Sequence, residues 1–236
     1  MIVTAFVTAY VWLLAITTLP PLWIALMITP RGRRADALVR WYARRILPLA
    51  GCPVRTRGLE RLNAATPAVL VANHSSYLDS LVLMAAIPVE YRFVINHRAA
   101  TWPLIGLTVR KVGHIVVDRT KLASRHACAV DMRDTLRRGT SLIVFPEGTI
   151  GAPGRLLPFK PGAFHIAAEA GRPVVPVALR GTRPVVADGV GHIRPGPIDV
   201  SILEPLPAGP ISRAEISRLR DRAQMAIARE VQATAP

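Results

Sequence analysis

The sequence predicts an α/β fold, a mostly parallel, twisted sheet flanked by helices, preceded by an N-terminal hydrophobic helical segment. Three observations carry this prediction. Short β-like runs alternate with helical ones from Pro53 onward, the pattern of strands joined by crossover helices. Residues 1–30 contain no charged side chain. No internal repeat or low-complexity linker divides the rest, and a chain of 236 residues suits one such domain with appendages.

Met1 to Leu19 is apolar and nearly long enough to cross a bilayer, which takes about 20 residues. Pro20-Pro21 interrupts it and Leu22 to Thr29 forms a second apolar piece. Two readings remain, one kinked spanning helix or two helices lodged in one leaflet. The segment lacks positive charge before its apolar stretch and a clear cleavage site after it, so it reads as a retained membrane anchor. Arg31, Arg33 and Arg34 follow at once, placing the rest on the cytoplasmic side of the cell membrane by the positive-inside rule.

Residues 35–48 (ADALVRWYARRILP) mix Leu38, Trp41, Tyr42 and Ile46 with Arg40, Arg44 and Arg45. Such a basic amphipathic helix lies along headgroups or packs on the domain with its arginines solvated. We therefore divide the chain into an anchor and basic helix over 1–50 and an α/β domain over 51–236. Strands are expected at Pro67-AVLVA-Asn73, Arg92-FVI, His114-IVV, Leu142-IVF, Val174-VPVAL and Ile198-DVSIL. Helices are expected over Ser75 to Ile87 and over Leu122 to Arg138, the latter stopped by Gly139. Ser212-Arg-Ala-Glu215 reads as a capping box with Ile211 and Ile216 as its staple, opening a last helix with Leu219, Ala223, Ile227 and Val231 at helical spacing.

Thirty Lys and Arg against fifteen Asp and Glu give a net charge of +15, with 51% hydrophobic residues. Basic and apolar together favour an anionic membrane surface over nucleic acid as the partner. Cys52 and Cys128 lie far apart and outside any C-x-x-C pair, so they suggest neither a disulfide framework nor a zinc site. The histidines show no H-E-x-x-H spacing, so no metal is expected.

His74 follows an apolar run and Asp79 comes one residue more than a helical turn later. A carboxylate bonded to one imidazole nitrogen fixes the tautomer and makes the other a better base, which suits deprotonating a hydroxyl. The same residues also suit a plain helix start, with Asn73, Ser75 or Ser76 as cap and Asp79 solvated. A second polar segment, Phe145-Pro-Glu-Gly-Thr-Ile-Gly151, again follows a strand-like run and leads to Leu157-Pro-Phe-Lys-Pro-Gly162. Its turn presents the Glu147 carboxylate, the Gly148 backbone and the Thr149 hydroxyl at one point, suited to a polar headgroup.

Four blocks occur in order: Asn73-His74 with Asp79; Pro103-Leu-Ile-Gly106 leading to Val117-Asp-Arg119; Phe145-Pro-Glu-Gly-Thr149; and Val175-Pro-Val177. In these the chain resembles the 1-acylglycerol-3-phosphate acyltransferases and related glycerolipid acyltransferases, marked by N-H-x-x-x-x-D and F-P-E-G-T-R-S. The resemblance implies acyl transfer from acyl-coenzyme A or an acyl carrier protein, as co-substrate and not cofactor, to the free hydroxyl of a lysolipid. His74 and Asp79 would be catalytic, and Arg119, Glu147, Gly148, Thr149 and Lys160 would bind substrate. Two departures stand out: Ile150 replaces the arginine after F-P-E-G-T, and His97 or Arg98 stands nearest the usual lysine of the second block. They raise a lyso-ornithine lipid or other lysolipid as rival acceptor to 1-acyl-glycerol-3-phosphate. Hydrolysis lacks a G-x-S-x-G elbow, and a non-enzymatic lipid-binding protein is the alternative of another class.

Overall fold

The computed structural model describes residues 2–151, 155–185 and 193–233. Its centre is a seven-stranded sheet. The strands are β1 (Val54–Arg57), β2 (Val69–Ala72), β3 (Tyr91–Asn96), β4 (Ile115–Val117), β5 (Ser141–Val144), β6 (Val174–Arg180) and β7 (Ile198–Ile202). Their order is β1-β7-β6-β2-β5-β3-β4. Every neighbouring pair is parallel except β6 and β7. The short β1 escapes sequence reading because its Val-Arg-Thr-Arg pattern is half charged and belongs to an edge strand.

Alternation along the central strands feeds two cores. Val69 and Val71 of β2 face a cluster built with α7 (Leu122–Arg137), α8 (Gly162–Glu169) and α10 (Arg213–Gln232). Leu70 and Ala72 face the other side, toward α3 (Leu59–Ala65) and α4 (Asp79–Ala86). The runs in β2 and β5 are buried at every position, as a parallel sheet covered on both faces requires. Two single-turn helices, α5 (His97–Ala100) and α9 (Thr182–Val185), follow β3 and β6. Gly139 ends α7 at φ 84, the left-handed conformation expected of a glycine after a helix.

The N-terminal helices form a third layer. The helix α1 (Ile2–Ile28) meets α2 (Arg33–Leu49) and α6 (Pro103–Val112) in a cluster holding Leu22, Leu26, Val39, Tyr42 and Val112. Pro20 and Pro21 lie inside α1 and do not divide it, which corrects the expected break. Each proline removes one donor, and an apolar helix continues past such a gap. The opposite face of α1 is bare, with Leu13 60%, Ile16 66% and Ile28 81% exposed.

Two local expectations change. The helix expected from Ser75 starts at Asp79, because the preceding residues wrap around the Asp79 carboxylate. Ser212 caps α10 by accepting a hydrogen bond from Glu215 N at 3.2 Å. Ile211, however, is 61% exposed, so it does not staple onto the buried Ile216.

Candidate active site

The parallel strands deliver the carboxyl ends of β2, β3, β4, β5 and β6 to one edge, where loops gather functional groups. Asn73 leaves β2 and extends its pairing with β6 through its side chain. Its Nδ2 donates to the Leu179 carbonyl at 3.0 Å and its Oδ1 accepts from Leu179 N at 2.8 Å. That bidentate bond sets the backbone direction of His74.

His74 Nδ1 lies 2.9 Å from Asp79 Oδ2. The same carboxylate oxygen accepts from Ser75 N at 2.7 Å and Ser76 N at 2.9 Å, and Asp79 is fully buried. Two backbone donors and the imidazole thus hold one carboxylate oxygen, so the charge is fixed in place. The second oxygen, Oδ1, has no partner among the described residues. His74 itself is 18% exposed, and its ring stacks on Phe145 with centroids 4.1 Å apart and planes at 17°. Carboxylate and ring together determine the orientation of the imidazole.

Phe145 opens the second loop. Glu147 is buried; its Oε1 accepts from His74 N at 2.6 Å and its Oε2 from Leu157 N at 2.8 Å. Both oxygens are therefore engaged by backbone, and the carboxylate ties the histidine loop to the segment after the turn. Burial raises its pKa, and the bonds from His74 N and Leu157 N oppose that rise. Gly151 N donates to the His74 carbonyl at 3.1 Å, a second link between the loops. Arg183 of α9 adds a third, donating to the Gly151 carbonyl.

Gly148 stands at φ 79, which glycine adopts without strain. A Cβ there would collide with Arg119 Nη1 and lie 2.7 Å from Lys160 Nζ. Gly148 thus brings two cations together over its own backbone, and Arg119 donates to its carbonyl. Burial lowers the Arg119 pKa. Thr149 is exposed beside them.

A cavity of about 790 Å³ begins at this cluster. His74, Arg119, Gly148, Thr149 and Ile150 line it together with Val11, Leu14, Leu19 and Leu22 of α1. Lys160 is outside the lining, and Glu147 touches it only through the loops it braces. A lining that combines a histidine and an arginine with apolar side chains of the N-terminal helices fits an amphiphile. Among the described residues no cluster of His, Cys, Asp and Glu is arranged to hold a metal ion.

Sequence reasoning overlooked Phe145 as the support of the imidazole and Arg183 as a clamp. Phe145 stands in the quoted motif, so its place was visible but its stacking was not. Arg183 lies in a short turn with no pattern of its own.

A covered α/β sheet with a histidine and a buried aspartate at its carboxyl edge, lining a largely apolar cavity, is the arrangement that the resemblance to glycerolipid acyltransferases of the H-x-x-x-x-D class leads one to expect. Residues 53–180 match the acyltransferase family model. The chain is 33% identical over 207 residues to the 1-acyl-sn-glycerol-3-phosphate acyltransferase of Limnanthes alba, covering 85% of this chain and 69% of that one. It is 37% identical over 152 residues to the chloroplastic enzyme BAT2 of the same description from Brassica napus, covering 64% of this chain and 44% of that one. This chain belongs to the 1-acyl-sn-glycerol-3-phosphate acyltransferase family. Its fold matches the crystal structure of the 1-acyl-sn-glycerophosphate acyltransferase PlsC from Thermotoga maritima, with a TM-score of 0.79 and 22% identity over 98% of this chain and 96% of that one.

Proposed function

We propose that the protein transfers a fatty acyl group from an acyl thioester to the free hydroxyl of 1-acyl-glycerol-3-phosphate, forming phosphatidic acid. One observation carries this reading: His74, oriented by the buried Asp79 at 2.9 Å, lines a cavity whose wall also includes apolar side chains of the N-terminal helices. The Nδ1 atom faces the carboxylate, which leaves Nε2 to take the hydroxyl proton. The alkoxide oxygen attacks the thioester carbonyl and a tetrahedral intermediate forms. Its collapse breaks the C–S bond, and the imidazolium returns its proton to the departing thiolate. Asp79 stabilises the imidazolium that exists between these steps. No acyl-enzyme is needed.

Arg119 and Lys160, gathered at Gly148, supply positive charge for the acceptor phosphate. Thr149 lies in the cavity wall, and Glu147 braces the turn that carries it against the histidine loop and Leu157. The acyl chain runs toward α1. That helix bonds to the α/β part along its length, from Thr8 Oγ1 accepting from Ile193 N at 3.2 Å to Lys111 Nζ donating to the Met27 carbonyl at 2.8 Å. Such contact supports an anchor lying in one leaflet with its bare face in lipid, and Arg31, Arg33 and Arg34 support a cytoplasmic catalytic side. The donor is acyl-coenzyme A or an acyl carrier protein.

A second reading, a lyso-ornithine or other lysolipid acceptor, is favoured by Ile150, an aliphatic side chain in the cavity wall where the family motif has arginine. Chromatography of labelled products from a panel of lysolipids separates the two. The primary reading expects phosphatidic acid as the main product. Product only from phosphate-free acceptors refutes it.

A further inference from the structure

The imidazole of His74 belongs to a group of aromatic rings. Phe145 stacks on it with centroids 4.1 Å apart and planes at 17°. Phe93 of β3 is nearly parallel to Phe145, at 6.3 Å and 14°. Tyr91 and His114 complete the group, each steeply inclined to Phe93, at 77° and 84°. His74, Phe145, Phe93 and His114 all line the cavity.

The Phe145 contact differs in kind from the Asp79 contact. Asp79 meets the imidazole at one nitrogen, Nδ1, 2.9 Å away, whereas Phe145 covers a face of the ring. The face of a phenyl ring is the negative side of its quadrupole and attracts a cation within about 6 Å of the centroid. At 4.1 Å a protonated His74 lies well inside that range. The His74 side chain is only 18% exposed, so water competes little for the charge. A neutral imidazole gains less from the same face, and the contact therefore favours the charged form over the neutral one. His114, the other imidazole among these rings, does not compete as a cation: burial, aided by Arg92 and Arg40, pushes its pKa down to about 3.

Other charged groups act on His74 from separate elements. Asp79 stands at the start of α4, and Glu147 follows Phe145 and accepts from His74 N. Arg98 and Arg119 lie in the cavity wall, and Arg183 of α9 donates to the Gly151 carbonyl. All of them stay when only the Phe145 ring is altered, so a change in proton affinity after that alteration reports the ring.

We propose that Phe145 does more than orient His74: the face of its ring stabilises the imidazolium formed when His74 takes the acceptor's proton, as a second partner of that charge beside Asp79. The proposal rests on the acyl-transfer reading above and concerns its base. Phe145 touches neither substrate in this account; it is a positioning residue that acts through His74.

Fluorinated phenylalanines, introduced at position 145 of the full chain by stop-codon suppression, make the test. Successive fluorines withdraw electron density from the ring face and change its shape little. Acyl transfer from acyl-coenzyme A to 1-acyl-glycerol-3-phosphate is measured in detergent across pH. We expect kcat to fall with each fluorine, by about threefold in all at 3,4,5-trifluorophenylalanine. The acid limb of kcat/KM should move to lower pH by about half a unit, because a less stabilised imidazolium releases its proton more readily. Phe145→Leu should lose at least as much, and Phe145→Tyr, which keeps the ring, should stay close to wild type. The same fluorines at Phe164, buried in α8, serve as the control and should leave both readouts unchanged. A ring that only props the imidazole gives a flat kcat and a fixed limb through the series even where Phe145→Leu is slow, and that result overturns the proposal. A limb that moves to higher pH overturns it as well. A wild type without acyl transfer, or His74→Ala with full activity, defeats the acyl-transfer reading and this proposal with it. An active wild type, a silent His74→Ala and a flat fluorine series defeat this proposal alone.

Discussion

Asp79→Asn separates the electrostatic role of the carboxylate from its structural one. The asparagine carbonyl retains an acceptor for Ser75 N and Ser76 N, which now stand 2.7 and 2.9 Å from Oδ2. Its amide nitrogen takes the place of Oδ1, which is already without a described partner. The fold therefore loses little, about 1 kcal/mol for a buried polar group whose satisfaction hardly changes. What disappears is the negative charge 2.9 Å from His74 Nδ1. At an effective dielectric of about 20, two full charges at that distance interact by roughly 6 kcal/mol. Only part of the charge develops on the imidazole in the transition state, so we assign about 3–4 kcal/mol to catalysis, a loss of roughly 10²- to 10³-fold in kcat. Initial rates of phosphatidic acid formation, with thermal melting alongside, provide the assay. A variant that melts like wild type and turns over within about threefold of it would falsify the dyad.

Three further outcomes follow from the geometry. Gly148→Ala forces a Cβ into Arg119 Nη1 at a residue with φ 79; we expect about 1–2 kcal/mol of destabilisation and an acceptor KM raised at least tenfold, and an unchanged KM would separate the Arg119–Lys160 cluster from the phosphate. Glu147→Gln turns an amide N–H₂ toward either His74 N or Leu157 N, both of which need an acceptor; it should lose about 1–3 kcal/mol in guanidinium unfolding and lower kcat, whereas a wild-type midpoint would deny the bracing role. His114 is buried, and desolvation pushes its pKa down to about 3. The unfolded chain takes up this proton near pH 6.5 and the folded one does not, so stability is present above that pH and declines on acidification toward 3. Between pH 7 and pH 5 the wild type should lose about 2 kcal/mol through this group. His114→Asn, which retains an acceptor for the bond now made by Phe93 N at 3.3 Å, should flatten that decline; an equally steep decline in the variant would assign the acid sensitivity elsewhere.

Six of the seven strands were legible because runs such as Val-Leu-Val-Ala in β2 are apolar at every position, a pattern that a covered parallel sheet demands. β1 was not, since an edge strand tolerates the arginines that mask it. The helix α6 hid behind Pro103, which sits at its first position where the missing N–H costs nothing. The blocks around His74, Arg119 and Gly148 lie far apart in sequence and converge because strand ends converge. Their residue types were visible, but their bonding was not. Glu147 looked like a group aimed at substrate; the fold spends both its oxygens on backbone donors. The Phe145 ring under the imidazole left no periodic trace, since a stack depends on two loops meeting in space.

The most direct test of the central claim is acyl transfer from labelled acyl-coenzyme A to 1-acyl-glycerol-3-phosphate by the detergent-solubilised protein, wild type against His74→Ala. The account predicts labelled phosphatidic acid from the wild type and a loss of at least 10³-fold in a variant that melts normally, since removing a general base at the reacting hydroxyl forfeits the proton-transfer step. Phosphatidic acid formed at a comparable rate by the folded variant would contradict it.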